Sequence, residues 1–202
     1  MNKYLKQSVI LLQVIFFVSG GLFAQSQQDE IKTLLESRDQ EIKEILGPEG
    51  DDYTQEQRNR LKDIINGIID FESMASYALG ETFNEISEDE RVEFVSLFST
   101  IIRDNSLNRL DIYRADVSYE EINITNGKAK VRTIAQLENV RTPVFYDLRL
   151  EDGEWVITDM IIDDVSTAES YNRQFQSIIR KRGYEALKSS LERRAARASE
   201  AS

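Results

Sequence analysis

Along residues 29–46, Ile31, Leu34, Leu35, Ile42, Ile45 and Leu46 recur at three-to-four spacing with acids and lysine between them. That period predicts an amphipathic helix, and Gly47-Pro48-Glu49-Gly50 breaks it. Thr54, with Gln57 three residues on, is a capping-box pattern ahead of Leu61, Ile64, Ile65, Ile68 and Ile69. A turn near Ile69–Asp70 separates this helix from the next stretch. There Phe71, Met74, Ala75, Ala78 and Leu79 share one helical face, and Gly80 supplies a stop. Ser87 and Glu90 repeat the capping box. Behind them Val92, Phe94, Val95, Leu97, Phe98, Ile101 and Ile102 form a stripe wide enough to touch both a sheet and another helix. This helix is expected to run to about Leu110.

The period then changes to two. Residues 116–124, 128–138, 143–150 and 154–163 are strand candidates, joined by Asn126-Gly127 and Asp152-Gly153 hairpin signals. Val144, Tyr146, Leu148 and Leu150 alternate with Phe145, Asp147 and Arg149, so one face of the meander is mainly apolar. Ser166 and Glu169 cap a helix carrying Tyr171, Phe175, Ile178 and Ile179. Gly183 interrupts it, and Tyr184, Leu187 and Leu191 mark a short last helix. From Arg193 to Ser202 the chain is expected to fray as a flexible tail. Helices, then at least four antiparallel strands, then helices is α+β order.

Composition narrows the chemistry. The 202 residues include no Cys and no His. Disulfides, thiol catalysis, Ser-His-Asp chemistry and a lipid attached to an N-terminal cysteine are therefore excluded. With 25 Lys+Arg against 36 Asp+Glu the net charge is −11, which argues against nucleic acid as a partner. Lys3 and Lys6, the apolar run Val9–Val18 and small residues before Ala24 have the layout of a secretory signal peptide, with cleavage expected after Ala24. Its removal discards two lysines and no acid, which takes the balance to −13. The mature protein is expected to be exported and soluble, with one domain over residues 25–192.

Each candidate for chemistry has a bland counterpart. Asp159, Asp163 and Asp164 suggest a carboxylate cluster, but an acidic pair at a strand end reads as a solvated turn, and the calcium-loop spacing is missing. Glu88-Asp89-Glu90 suits the first turn of a helix. Arg180-Lys181-Arg182 and Arg193-Arg194 read as solvated helix ends, or as contacts for an anionic head group or an acidic partner. Trp155, the single Trp, reads as a wedge between strand and helix. Periodicity does not tell a filled core from a hollow one.

Several segments together resemble the MlaC family, also called the toluene-tolerance Ttg2 auxiliary (Ttg2D) family. Asp70-Phe71-Glu72-Ser73-Met74-Ala75-Ser76-Tyr77-Ala78-Leu79-Gly80 is similar to its D-F-x-x-[IM]-[AS]-x-x-[AV]-L-G element, and Phe94, Leu97 and Phe98 to F-x-x-L-F. Trp155-Val156-Ile157-Thr158-Asp159-Met160 follows W-x-[IV]-x-D-[VM]. Val165-Ser166, Tyr171, Gln174-Phe175, Ile178-Ile179 and Gly183 follow the closing V-S-x(4)-Y-R-x-Q-F element, except that Asn172 follows Tyr171 and the arginine comes at Arg173.

The resemblance implies a periplasmic phospholipid carrier with no catalytic residue, no metal and no cofactor beyond its lipid cargo. It implies exchange with an inner-membrane ABC transporter bearing an MCE-domain subunit and with an outer-membrane lipoprotein–porin complex, maintaining outer-membrane lipid asymmetry. The implied fold is a curved antiparallel sheet enclosed by helices around an apolar cavity, similar to NTF2-like folds. The expected lining is Phe71, Met74, Ala75, Ala78, Leu79, Phe94, Leu97, Phe98, Ile101, Val144, Tyr146, Leu148, Trp155, Tyr171, Phe175 and Ile178. Two other classes stay open on the residues alone. One is an NTF2-like small-molecule binder or isomerase/dehydratase-type enzyme, with Asp159 and Tyr146 as its polar candidates. The other is a structural adaptor of an envelope complex.

Overall fold

A computed structural model describes residues 3–48 and 53–200, with side chains described for all of these except 3–24, 108, 109, 111 and 198–200. The expected leader therefore lies outside the residues whose side chains are described, and Glu49 and Gly50 of the expected break lie outside the described residues altogether.

The elements follow in the order α1 (Lys3–Leu46), α2 (Gln55–Asn66), α3 (Phe71–Leu79), α4 (Thr82–Glu85), α5 (Glu88–Asn105), a 3-10 segment (Ser106–Arg114), β1 (Asp116–Thr125), β2 (Lys128–Leu137), β3 (Val140–Glu151), β4 (Glu154–Ile162), β5 (Val165–Ser166), α6 (Thr167–Arg182) and α7 (Tyr184–Glu200). The α+β class stands, with a five-stranded antiparallel meander in the order β1-β2-β3-β4-β5.

Local chemistry explains most boundaries. Thr54 and Ser87 each complete a reciprocal capping box with Gln57 and Glu90. Ser166 accepts from the Glu169 amide, but the Glu169 carboxylate turns to Arg173 instead. The end of α1 is held by Arg114, whose guanidinium donates to the carbonyls of Leu46, Gly47 and Pro48. Helix α5 stops at Asn105 rather than near Leu110, where Ser106 Oγ donates back to the Arg103 carbonyl at 2.8 Å. A hydroxyl bonded back to the preceding turn competes with regular α-helical bonding, and the chain tightens into the 3-10 segment. Helix α7 is longer than expected and carries helical backbone past Arg193 to Glu200.

The hairpins form at Asn126-Gly127 and Asp152-Gly153, all four residues having positive φ. A third two-residue turn, Glu138-Asn139, lacks glycine and so gives no sequence signal; β3 consequently begins at Val140 rather than 143. Asp163 and Asp164 form a fourth turn, both exposed and left-handed, as the solvated-turn reading required. Bulges at Glu120 in β1 and Thr158 in β4 shift the register and bend the sheet.

Two packing layers result. Ile31 and Leu35 of α1 cover the sheet residues Ala129, Val131, Leu148, Trp155 and Ile157, which confirms Trp155 as a strand-to-helix wedge. Further along α1, Ile42 and Leu46 meet Leu61 and Ile64 of α2. Helices α3, α5, α6 and α7 form a second core of their own, with Phe94, Phe98 and Phe175 almost fully buried. The α3 and α5 stripes thus face α6 and α7, not the β3 face carrying Val144, Tyr146 and Leu148. Val92, at the edge of the α5 stripe, is 67% exposed.

Candidate functional site

The family-like acidic positions turn out to be joints. Asp70 Oδ1 accepts from the Ser73 amide at 2.9 Å and caps α3, while Oδ2 takes the Arg149 guanidinium of β3 at 2.6 Å. The Asp70 amide donates to the Ile157 carbonyl, and the Ile157 amide to Ile68, so residues 68–70 run beside β4. Burial alone would raise the Asp70 carboxyl. Hydrogen bonds from Ser73 and the Arg149 guanidinium outweigh burial and hold it below the ordinary carboxylate value. Asp70 therefore stabilises the fold above about pH 4, and that contribution disappears as pH falls through its lowered value. We expect Asp70→Ala to cost about 1–3 kcal/mol at neutral pH, read by urea unfolding, and to flatten the acid limb of the stability curve. An unchanged acid limb would remove Asp70 from this account.

Asp159 plays the matching part for α6. Its carboxylate accepts from Ser166 Oγ and from the amides of Met160 and Ala168. Asn172 and Gln176 of α6 donate to the Tyr77, Ala78 and Leu79 carbonyls and close the end of α3. There Gly80 turns out of the helix with φ of 57°. Arg173 is exposed and pairs with Glu169 at 2.7 Å. The displaced arginine thus belongs to the surface of α6, and Asn172 has taken an internal capping role.

A cavity of about 250 Å³ lies between the sheet and the helices. Its walls come from α1 (Leu35, Arg38, Asp39, Ile42), α2 (Ile64, Ile65, Asn66), the 68–70 segment (Ile68, Ile69) and α5 (Ile102, Asn105). The 3-10 segment adds Ser106, Ile112 and Tyr113; the sheet adds Val117, Tyr119, Tyr146, Ile157, Met160 and Ile162. Met74, Thr167 and Tyr171 complete it. The volume exceeds the about 150 Å³ of an apolar cavity that takes benzene, and falls below the about 300 Å³ at which sites for drug-sized ligands begin.

Polar groups gather where α1, α2 and α5 meet. Asn66 Nδ2 donates to Ser106 Oγ at 3.0 Å, and Asn105 donates to the Tyr171 hydroxyl at 3.0 Å. Asp39 pairs with Lys43 at 2.9 Å. Burial pushes the phenols of Tyr113, Tyr119 and Tyr146 up, Tyr113 to about 12, so all three are neutral at ordinary pH. Among the described residues no group of three or more acids could hold a metal ion.

Of the sixteen residues expected to line the lipid pocket, Met74, Tyr146 and Tyr171 border this cavity. Ala75, Ala78, Leu79, Phe94, Phe98, Ile101 and Phe175 are buried in the helical core, with Phe71, Leu97 and Ile178 packed against it. Leu148 and Trp155 lie under α1, and Val144 sits in a small cluster with Ala115 and Ala135. The residues not anticipated come chiefly from α1, α2 and the 3-10 segment. A signal for them existed in α2 and its extension. Ile64, Ile65, Ile68 and Ile69 exceed what one face needs; Ile64 is buried against α1, while Ile65 and Ile68 stay half-buried at the cavity.

No curated protein matches the chain. Among solved structures, a phospholipid-binding protein from Ralstonia solanacearum in complex with a phospholipid aligns over 85% of this chain and 98% of that one, with a TM-score of 0.71 and 20% identity. A Campylobacter jejuni structure described as an NTF2-like transpeptidase aligns over 48% of this chain and 82% of that one at 18% identity, with a TM-score of 0.31, too partial to bear on this fold. The family model of the MlaC protein matches residues 25–193. By that match over most of its length, the chain belongs to the MlaC family.

Proposed function

We propose that this protein is a periplasmic phospholipid carrier, exported with removal of residues 1–24. In this reading it exchanges lipid with an outer-membrane lipoprotein–porin complex and an inner-membrane ABC transporter bearing an MCE-domain subunit, and so maintains outer-membrane lipid asymmetry. The observation that carries the reading is the apolar cavity between sheet and helices, in a chain whose fold is similar to that of a phospholipid-binding protein solved in complex with a phospholipid. Moving an acyl chain from bilayer to water costs about 0.8 kcal/mol per CH₂, on the order of 20 kcal/mol gross for two chains. A carrier offsets that cost with an apolar lining and needs no nucleophile, acid or metal.

An isomerase or dehydratase reading would need a free base facing the cavity. Asp39 is tied to Lys43, Asp159 is engaged in capping α6, and the cavity phenols are neutral, so the geometry favours the binding role. Solvent extraction of the protein purified from the periplasm tests this directly. Phospholipid at near one molecule per chain is the expected result. Turnover of a small substrate by delipidated protein would overturn the carrier reading. Val117, half-buried on β1 and lining the cavity, is the blocking position. Val117→Trp should lower lipid content by at least about tenfold, roughly 1.4 kcal/mol in affinity, while the protein still folds.

A further inference from the structure

Asn66 is 2% exposed. Its Nδ2 donates to the Lys62 carbonyl at 2.7 Å and to Ser106 Oγ at 3.0 Å. A carbonyl only accepts, so the amide cannot be turned round, and Oδ1 is the atom left over. That Oδ1 is buried with no hydrogen-bond partner, on a residue that lines the cavity. Ser106 cannot supply the missing donor, because its hydroxyl donates to the Arg103 carbonyl at 2.8 Å.

Arg38 of α1 lies against the same stretch of chain. Its Nη1 is 3.5 Å from the Ile64 carbonyl, and 3.2 Å from where a Cβ on Gly67 would stand. These two residues bracket Asn66. Among the described residues Arg38 has no acidic partner, since neighbouring Asp39 pairs with Lys43. One long bond leaves most of its five donors open. A cation without an acid beside a buried acceptor without a donor is the complement of one kind of ligand. That ligand carries an anionic oxygen and, close by, an O–H or N–H.

We propose that this end of the cavity is a two-point subsite for a phosphodiester bearing a hydroxyl or ammonium donor. Arg38 takes a phosphate oxygen, and Asn66 Oδ1 accepts from the hydroxyl or ammonium. Ser106 is a positioning residue that fixes the Asn66 amide. The assignment rests on the carrier reading above and adds a head-group preference to it. A choline head has the same phosphate and no donor, so it satisfies Arg38 and leaves Asn66 unmet.

The test uses the full chain, delipidated, with vesicles of phosphatidylglycerol, phosphatidylethanolamine or phosphatidylcholine of identical acyl composition. The first two should bind at least about tenfold tighter than the third. Asn66→Leu should bring all three within about twofold by weakening the donor-bearing lipids alone. Arg38→Met should weaken all three phospholipids by a common factor and leave diacylglycerol binding unchanged. The wild-type preference is itself diagnostic should Asn66→Leu not fold, which its melting curve reports. Equal binding of the three phospholipids by the wild type overturns the subsite, leaving Asn66 to an ordered water, and lets the carrier reading stand. Binding of none of them overturns both.

Discussion

Replacing Phe98 by alanine should cost about 3–5 kcal/mol and lower the melting temperature by about 10 °C, while the lipid carried per folded molecule stays constant. Phe98 is fully buried and stacks on Phe94 at 6.0 Å between ring centroids. It also meets Tyr171 edge-on at 5.0 Å and Phe175 at 5.8 Å. Removing the ring deletes three aromatic contacts and leaves a void that helices already locked by capping cannot collapse into. Ala78→Trp probes the same region from the other side. Ala78 has no exposed surface inside the helical core, so a larger side chain overpacks α3 against α6, costing about 1–3 kcal/mol. Calorimetry with lipid extraction separates a structural core from a binding wall. Loss of lipid at an unchanged melting temperature, in either variant, would return these helices to the cargo site.

That contrast shows where sequence reading ran out. Caps, turns and periods are local chemistry. Thr54, Ser87 and Ser166 open helices where expected, and the glycine hairpins close where expected. The Glu138-Asn139 turn and the two-residue strand β5 carried no such chemistry and were missed. An apolar stripe states that a face is buried without stating against what. The stripes of α3 and α5 found α6 and α7, whereas the hollow formed where α1 and α2 meet the sheet. Asp159, the polar candidate for an enzyme, misled in a different way. Like Asp70, it ties a helix start to the sheet, and neither residue reaches the cavity. Asn66 and Arg38 were illegible because their meaning depends on partners they lack, which only three-dimensional neighbours reveal.

Stability should be flat through neutral pH and fall steeply above pH 10, because the cavity is lined by phenols that resist ionising. Desolvation raises the Tyr113, Tyr119 and Tyr146 hydroxyls, Tyr113 to about 12, and raises Tyr184 of the helical core to about 12 as well. In the unfolded chain each phenol ionises near about 10. Between that value and the raised one the unfolded state has released protons that the folded state still holds. Unfolding is therefore favoured progressively, by up to about 1.4 kcal/mol per pH unit for each well-buried tyrosine and by less for Tyr119 and Tyr184, which solvent reaches. The contribution is fully present below pH 10 and is lost as pH rises toward the folded values. The two well-buried cavity phenols, Tyr113 and Tyr146, together give up to about 3 kcal/mol per pH unit, and Tyr119 adds less because solvent reaches it. Tyr146→Phe should remove about half of the slope of the two well-buried phenols while keeping the ring that β3 contributes to the cavity. Phenolate absorbance titrated beside circular dichroism checks it. Ionisation of all tyrosines near pH 10 with the fold intact would mean that water fills the cavity, and the desolvated apolar pocket required for an acyl chain would be lost with it.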